Sequence, residues 1–162
     1  PNWFFIRFIE NPGAAFGFEL GGNYGKLILS VFRLLAIGAL GYYIFYLYRK
    51  KAPAGVLAGF SLIFAGALGN VLDSAFYGLL FSESTFTSVA TFLPEGGGYA
   101  GFLHGKVVDM LFFPIVEGVF PSWIPGVGGE PFLFFSPIFN FADSYITVGV
   151  IYLLLFQRKY FK

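Results

Sequence analysis

The sequence predicts an α-helical membrane protein, and its composition is the first reason. Of the 162 residues 57% are hydrophobic and only 12% are charged, whereas a soluble domain has about 45–50% apolar and about 25% charged residues. A chain of this length still has much surface to cover, so we expect lipid to cover it. The aromatic content of 22% suits side chains that face acyl chains or lie at the membrane interface.

Three apolar stretches are the second reason, because each is long enough to cross about 30 Å of hydrocarbon. They cover residues 27–48, 54–76 and 135–156. Arg49-Lys50-Lys51 follows the first stretch and Arg158-Lys159 follows the third, and such basic clusters mark cytoplasmic ends. This orientation leaves Pro1 outside, so we expect one further helix before it and a transmembrane bundle of four helices, the first absent from this chain.

The segments between the spans, residues 1–26 and 81–134, are predicted to lie at the outer face. Asn2–Phe18 alternates polar and aromatic residues before a Gly-rich stretch, a pattern typical of a short strand and a turn. Phe81–Pro137 is rich in Gly, Pro, Ser and Thr but too aromatic for a disordered linker. We expect short strands that rest on the membrane there.

Charge and side-chain chemistry exclude several classes of function. The net charge of +1 gives no basic surface for nucleic acid. The chain has no Cys and a single His, His104, so thiol chemistry is excluded and a metal site that uses His104 and Asp109 is disfavoured.

Two Asn-x-x-Asp turns stand out in otherwise apolar sequence, at Asn70–Asp73 and Asn140–Asp143. Asp73 lies 22 residues after Lys51, and Asp143 lies 15 residues before Arg158, which places them roughly 33 Å and roughly 22 Å above the inner boundary. An Asp at mid-bilayer costs about 2.5–3.5 kcal/mol. One such turn is explained equally well as polar pairing between helices, but two at similar depth favour a functional site.

A third acid, Asp109, lies in a compact apolar run whose Val107-Val108 pair favours extended chain. Taken alone, Asp109 is interpreted as an ordinary exposed carboxylate rather than a catalyst. The residues by themselves do not choose between Asp73 and Asp109 as the partner of Asp143. Arg33, within the first span, is expected to snorkel or to pair with an acid.

Four motifs occur in order along the chain: Asn11-Pro12-Gly13-Ala14-Ala15-Phe16, Gly66-Ala67-Leu68-Gly69-Asn70-Val71-Leu72-Asp73, Gly105-Lys106-Val107-Val108-Asp109 and Phe139-Asn140-Phe141-Ala142-Asp143. Together they resemble the bacterial lipoprotein signal peptidases (signal peptidase II). The resemblance covers nearly the whole chain.

The resemblance implies an aspartic endopeptidase of the bacterial inner membrane, with four helices and a small extracytoplasmic β cradle. Such an enzyme removes the signal peptide from diacylglyceryl-modified prolipoproteins before the lipidated Cys, toward the outer face, and needs no metal or organic cofactor. By resemblance Asp109 and Asp143 form the catalytic pair. The supporting residues around the substrate are Asn11, Asn70, Asp73 and Asn140.

Two departures from the family pattern are visible. Ser74 follows Asp73 where the family usually has Arg, and residues 81–104 and 114–134 are longer insertions than usual. Two alternatives stay open from the residues alone. A small transporter or channel would also use intramembrane acids, although no inverted repeat is visible, and a structural membrane subunit would use the Asn-x-x-Asp turns only for helix pairing.

Overall fold

The computed structural model describes residues 3–12, 22–85, 87–134 and 137–162. The elements in chain order are β1 (Phe5–Asn11), α1 (Gly22–Arg49), α2 (Ala54–Leu72), a π-helical turn (Asp73–Tyr77), α3 (Gly78–Leu80), β2 (Val107–Phe112), β3 (Val116–Val119), β4 (Pro131–Phe134), β5 (Ile138–Phe139), α4 (Phe141–Phe156) and a 3₁₀ turn (Arg158–Phe161). The described residues form two compact units. The first draws on Pro1–Ile9 and Asp109–Asn140, and the second on Glu10–Val108 and Phe141–Lys162.

A tight turn joins α1 to α2 in the second unit. Lys51 adopts a positive φ of 55°, and the backbone N–H groups of Lys51 and Ala52 donate to the carbonyls of Tyr48 and Leu47 at 2.9 and 3.0 Å. These are the two hydrogen bonds of a Schellman cap, which satisfies the last helical carbonyls. Pro53 follows as the N-cap residue of α2. The short connection makes the two helices antiparallel neighbours.

Small residues allow α2 to pack closely against α4. A Cβ atom added at Gly149 of α4 would lie 2.8 Å from the carbonyl oxygen of Gly59 on α2, closer than real side chains come. Only glycine therefore permits this backbone approach. Gly59 and Gly149 thus allow the two helices to pack closely.

The end of α2 holds the segment that leads into β2. In the π-helical turn the carbonyl of Ser74 accepts a 2.8 Å hydrogen bond from the N–H of Gly105. A Cβ atom at Gly105 would lie 2.6 Å from the carbonyl oxygen of Asp73, so glycine is required here as well. On the α1 side, the hydroxyl of Ser30 donates to the carbonyl of Leu103 at 2.9 Å. The residues before β2 are thus fixed to both helices.

Three strands form a sheet in the order β1-β2-β5. Strands β2 and β5 are antiparallel, with Leu111 opposite Phe139 and Phe112 opposite Ile138. The guanidinium of Arg7 lies 4.4 Å from the ring centre of Phe112, an approach typical of a cation–π contact. A separate antiparallel hairpin is formed by β3 and β4. The strands that the sequence predicts in both outer segments are present.

Two helical stretches, Leu27–Arg49 and Ala54–Leu80, are long and apolar enough to cross a membrane. Within α1 the side chains of Phe32 and Leu35 are 66% and 69% exposed, which suits contact with lipid. Both features fit a membrane protein. The first helix begins at Gly22, five residues before the predicted start of the span.

The predicted third span, residues 135–156, extends too far at its N-terminal end. The helix begins only at Phe141, and Ile138–Phe139 is strand β5. A residue before proline avoids helical geometry, and the two residues after Pro137 pair with β2 instead. The Gly-rich turn predicted after β1 lies outside the described residues.

Candidate active site

The two Asn-x-x-Asp turns meet where α2 packs on α4. The side-chain amide of Asn70 donates to a carboxylate oxygen of Asp143 at 2.8 Å. Asn70 lies near the end of α2, and Asp143 lies in the first turn of α4. Their similar depth in the membrane predicts this proximity, and the close helix packing brings it about.

A cation from α1 lies beside this pair. Nη1 of Arg33 is 3.5 Å from the hydroxyl oxygen of Ser74, which in turn donates to the backbone carbonyl of Asn70 at 3.0 Å. The Arg33 guanidinium is also electrostatically attracted to Asp143. The sequence predicts that Arg33 snorkels or pairs with an acid, and the attraction to Asp143 favours the second option.

A second Asn–Asp pair lies in the first unit. The side-chain amide of Asn140 donates to a carboxylate oxygen of Asp109 at 2.9 Å. Both residues are buried, Asp109 with 5% and Asn140 with 4% of the surface exposed. The interpretation of Asp109 as an ordinary exposed carboxylate is therefore wrong. Side chains alternate along a strand, so Asp109 shares the buried face of β2 with Val107 and Leu111.

Asp73 is half-buried and has a backbone partner. One of its carboxylate oxygens accepts the N–H of Val108 at 3.3 Å. Val108 is the residue immediately before Asp109 in the chain. This contact favours a supporting role for Asp73, because its carboxylate fixes the start of β2.

Asn11 is the last residue of β1 and is half-buried. Its neighbour Glu10 belongs to a polar cluster that we call the Glu10 cluster. The residues of this cluster are Glu10, Tyr77, Glu83, Ser84, Tyr99 and Lys106. No short-range pattern points to it, since its central ion pair joins residues that are 96 positions apart.

The central pair of the Glu10 cluster joins Nζ of Lys106 to a carboxylate oxygen of Glu10 at 3.0 Å. The other oxygen of Glu10 accepts the hydroxyl of Tyr77 at 3.2 Å. The Glu10 side chain is 8% exposed. Because the cluster surrounds one carboxylate with donors, it ties the end of β1 to the end of α2 and to the residues before β2.

The titration of these groups follows from their partners. Burial raises the pKa of Glu10, but the hydrogen bonds from Lys106, Ser84 and Tyr77 outweigh it and hold the pKa below its ordinary value. Burial lowers the pKa of Lys106, yet the bond to Glu10 raises the pKa above its ordinary value. Burial raises the pKa of Tyr99. The ion pair is therefore charged across the neutral range.

A cleft of about 400 Å³ opens between α1, α2 and α4. Its lining residues are Phe32, Arg33, Ala36, Ile37, Leu40, Ile63, Ala67, Asn70 and Ile146. The lining is aliphatic or aromatic except at Arg33 and Asn70, which lie at the Asp143 site. Among the residues that the structure describes, no group of three or more His, Asp or Glu side chains is placed to hold a metal ion.

Comparison with known proteins gives one consistent family. The model of the family described as signal peptidase (SPase) II matches residues 1–158. A lipoprotein signal peptidase of Porphyromonas gingivalis is 53% identical over 154 residues, which are 94% of this chain and 66% of that protein. Another, from Chlorobaculum parvum, is 31% identical over 163 aligned residues, which are 99% of this chain and 76% of that protein.

One solved structure is also similar. It is described as a bacterial membrane enzyme, determined by the in meso method at 1.9 Å resolution. Its sequence is 27% identical and the TM-score is 0.50, and the match covers 96% of this chain and 69% of that chain. The chain thus spans about two thirds of the length of the proteins it matches.

Proposed function

Because this chain belongs to the signal peptidase II family, we propose that it is the catalytic part of a membrane-embedded aspartic endopeptidase. Its substrate class is a prolipoprotein that already carries diacylglycerol, and it removes the signal peptide just before the lipidated cysteine. The relatives named above are lipoprotein signal peptidases. Their names give no support to the transporter, channel or structural-subunit alternatives.

The observation that carries the proposal is that each proposed catalytic acid has its own amide donor. Asn70 donates to Asp143 and Asn140 donates to Asp109, at 2.8 and 2.9 Å. A carboxylate in an apolar region is costly unless it is hydrogen-bonded.

In the proposed mechanism Asp109 and Asp143 act as a pair that shares one proton, since two nearby carboxylates do not both ionise. The ionised member removes a proton from a water molecule, and the resulting oxygen attacks the scissile carbonyl. The protonated member donates a hydrogen bond to that carbonyl and then a proton to the leaving amine. The low dielectric of the membrane strengthens both interactions, and this chemistry needs no metal or organic cofactor.

We propose the same roles for the supporting residues that the family resemblance implies. Asn70 and Asn140 orient the acids, Asp73 holds the backbone before Asp109, and Asn11 shapes the substrate site. The contacts of Asn70, Asn140 and Asp73 support these assignments. For Asn11 the support is its position at the end of β1, next to the Glu10 cluster.

We further propose that the chain is one membrane-embedded peptidase domain in a bundle of four transmembrane helices, of which it contributes three. The bundle lies in the bacterial inner membrane with the active site toward the outer face, and the β1-β2-β5 sheet serves as a cradle for the substrate. The basic residues after α1 and α4 support this orientation. The acyl chains of the substrate stay in lipid, which limits its freedom.

A cleavage assay with the full-length protein tests the proposal. Purified protein in detergent is mixed with a diacylglyceryl-modified prolipoprotein, and loss of the signal peptide is followed on a gel. We expect cleavage by the wild type, and none by Asp109→Asn or Asp143→Asn that remain folded. Glu117→Gln, which removes an exposed acid on β3, is the matched control and should cleave normally.

The possible failures of this assay are distinct. A folded wild type that does not cleave would overturn the proposed activity. Normal cleavage by either Asp variant would overturn the proposed acid pair while it leaves the activity intact. Solute counterflow in proteoliposomes without cleavage would instead favour a transporter.

A further inference from the structure

Arg33 is a cation inside a predicted transmembrane helix, and its depth matches that of Asp143. It lies 16 residues before Arg49, and Asp143 lies 15 residues before Arg158. These spacings place the two residues roughly 24 Å and roughly 22 Å above the inner basic boundary. A charge at such a depth is costly, and membrane proteins keep it where it has a partner or a function.

Arg33 is linked to both residues of the Asn70–Asp143 hydrogen bond, to Asn70 through a contact and to Asp143 through charge. Through Nη1 it contacts the Ser74 hydroxyl at 3.5 Å, and that hydroxyl donates to the backbone carbonyl of Asn70 at 3.0 Å. Through its charge Arg33 attracts the Asp143 carboxylate. Arg33 is therefore linked by contact, through Ser74, to the backbone of the donor Asn70, and by charge to the acceptor Asp143.

The surroundings of Arg33 make this charge effective. The other residues that line the cleft beside it are aliphatic or aromatic, apart from Asn70. An apolar lining weakens dielectric screening and strengthens the attraction between the guanidinium and the carboxylate. Ser74 is 3% exposed, so water does not compete for its hydroxyl.

On this geometry, and resting on the proposed function, we propose that Arg33 is the positioning residue that holds Asp143 in its reactive orientation. Arg33 supplies this positive charge from α1, and an Arg at position 74 would supply it from the π-helical turn, because Nη1 of Arg33 lies 3.5 Å from the Ser74 hydroxyl. Because the two side chains touch, a guanidinium built on either helix reaches the same region. The charge is therefore transposable between positions 33 and 74, which a purely structural role would not allow.

The experiment moves the positive charge from position 33 to position 74 in the full-length protein and measures cleavage. Arg33→Gln should lower kcat by about 100-fold, the size of effect that a misplaced catalytic group gives, and leave KM within about threefold of wild type. Arg33→Lys should keep more of kcat than Arg33→Gln. The double variant Arg33→Gln/Ser74→Arg should recover at least about tenfold over Arg33→Gln alone.

Arg49→Gln is the matched control, because it removes the same side chain from the cytoplasmic end of the same helix. It should cleave as the wild type does, since Lys50 and Lys51 remain to set the orientation. An unchanged kcat for Arg33→Gln would overturn the proposal. So would a loss of kcat that neither Arg33→Lys nor the double variant restores.

A second measurement does not depend on activity. Melting temperatures are compared for wild type, Arg33→Gln, Asp143→Asn and the double variant of these two. If the charges interact, the loss in the double variant is smaller than the sum of the single losses. Additive losses would overturn the role of Arg33 even if the wild type cleaves, whereas an inactive wild type with coupled losses would overturn the proposed function alone.

Discussion

Asn70 donates its side-chain N–H to a carboxylate oxygen of Asp143 at 2.8 Å, so the amide of one Asn-x-x-Asp turn serves the acid of the other turn. The same division recurs in the first unit, where Asn140 of the second turn donates to Asp109. In both pairs the donor and the acceptor come from different elements. The position of each acid therefore depends on how two elements pack against each other, and the first prediction tests this dependence.

Removal of the Asn70 amide should impair cleavage more than folding. In Asn70→Ala the Asp143 carboxylate loses a donor, and a hydrogen bond to a charged group contributes about 1.5–3 kcal/mol. We expect kcat to fall by about 10- to 100-fold, while a gel filtration profile in detergent stays normal. Ser122→Ala, which truncates an exposed polar side chain, is the control. Unchanged kcat in Asn70→Ala would mean that Asp143 does not need this donor.

The close packing of α2 against α4 should be sensitive to a single added methyl group. Gly149→Ala places a Cβ atom 2.8 Å from the carbonyl oxygen of Gly59, so α2 and α4 must separate, at a cost of about 1–3 kcal/mol. We expect a lower melting temperature and weaker cleavage. In Gly38→Ala the added Cβ meets nothing within 4 Å, and alanine favours a helix by about 1 kcal/mol over glycine. If Gly149→Ala and Gly38→Ala have the same melting temperature, the approach of Gly149 to the Gly59 carbonyl does not limit the packing of these helices.

The Glu10 cluster should make stability depend on acid pH. The pKa of Glu10 is held below its ordinary value of 4.5, so its stabilising effect is present above that value and is lost as the pH falls through the folded-state pKa. We expect Glu10→Gln to have a lower free energy of unfolding than wild type at pH 7. The difference should be at most about 1–2 kcal/mol, the contribution of a partly buried hydrogen bond to a charged group. This difference should shrink as the pH is lowered from about 5 toward 3.

The raised pKa of Lys106 makes its contribution to stability depend on alkaline pH instead. The contribution of Lys106 is complete below its ordinary value of 10.5 and is lost only as the pH rises through the higher folded-state value. The titration of Lys106 therefore does not affect the acid pH range in which Glu10→Gln and wild type are compared. Glu117→Gln is the control for general acid effects, because Glu117 is exposed. A difference between Glu10→Gln and wild type that stays constant across the acid range would contradict the assignment.

Asp73 should matter more for stability than for chemistry. Asp73→Ala leaves the half-buried N–H of Val108 without its acceptor, which costs about 1–3 kcal/mol, so we expect a lower melting temperature. Asp73→Asn keeps an oxygen at this position and should fall between Asp73→Ala and wild type. Glu95→Ala removes an exposed acid and is the control. Complete loss of cleavage in Asp73→Asn at an unchanged melting temperature would instead assign Asp73 to the chemistry.

Local sequence patterns predict the membrane helices well because lipid imposes a simple requirement. A span needs length and apolar side chains, and α1 and the stretch from α2 to α3 meet it. The start of α4 is harder to predict, since the apolar residues Ile138 and Phe139 come shortly before the apolar helix. What distinguishes them is pairing with β2, a contact with distant residues that no local pattern records.

The candidate site likewise has a part that the sequence predicts and a part that it does not. The meeting of Asn70 with Asp143 is predictable, because depth along a helix follows from counting residues. The burial of Asp109 is not, since it depends on which face of β2 is covered, and the Glu10 cluster is set by a contact over 96 positions. The family resemblance selects Asp109 where physical reasoning from the residues alone does not.

The π-helical turn at Asp73–Tyr77 has a consequence for chain length. Such a turn is an α-helix that contains one residue more than regular winding allows. Deletion of Ala75 would return the helix to regular winding, in which the Ser74 carbonyl accepts an N–H of its own helix. Gly105 would then lose the acceptor of its N–H. A shortened helix end and the present path of residues 98–105 are therefore incompatible, and a protein that loses one must rebuild the other.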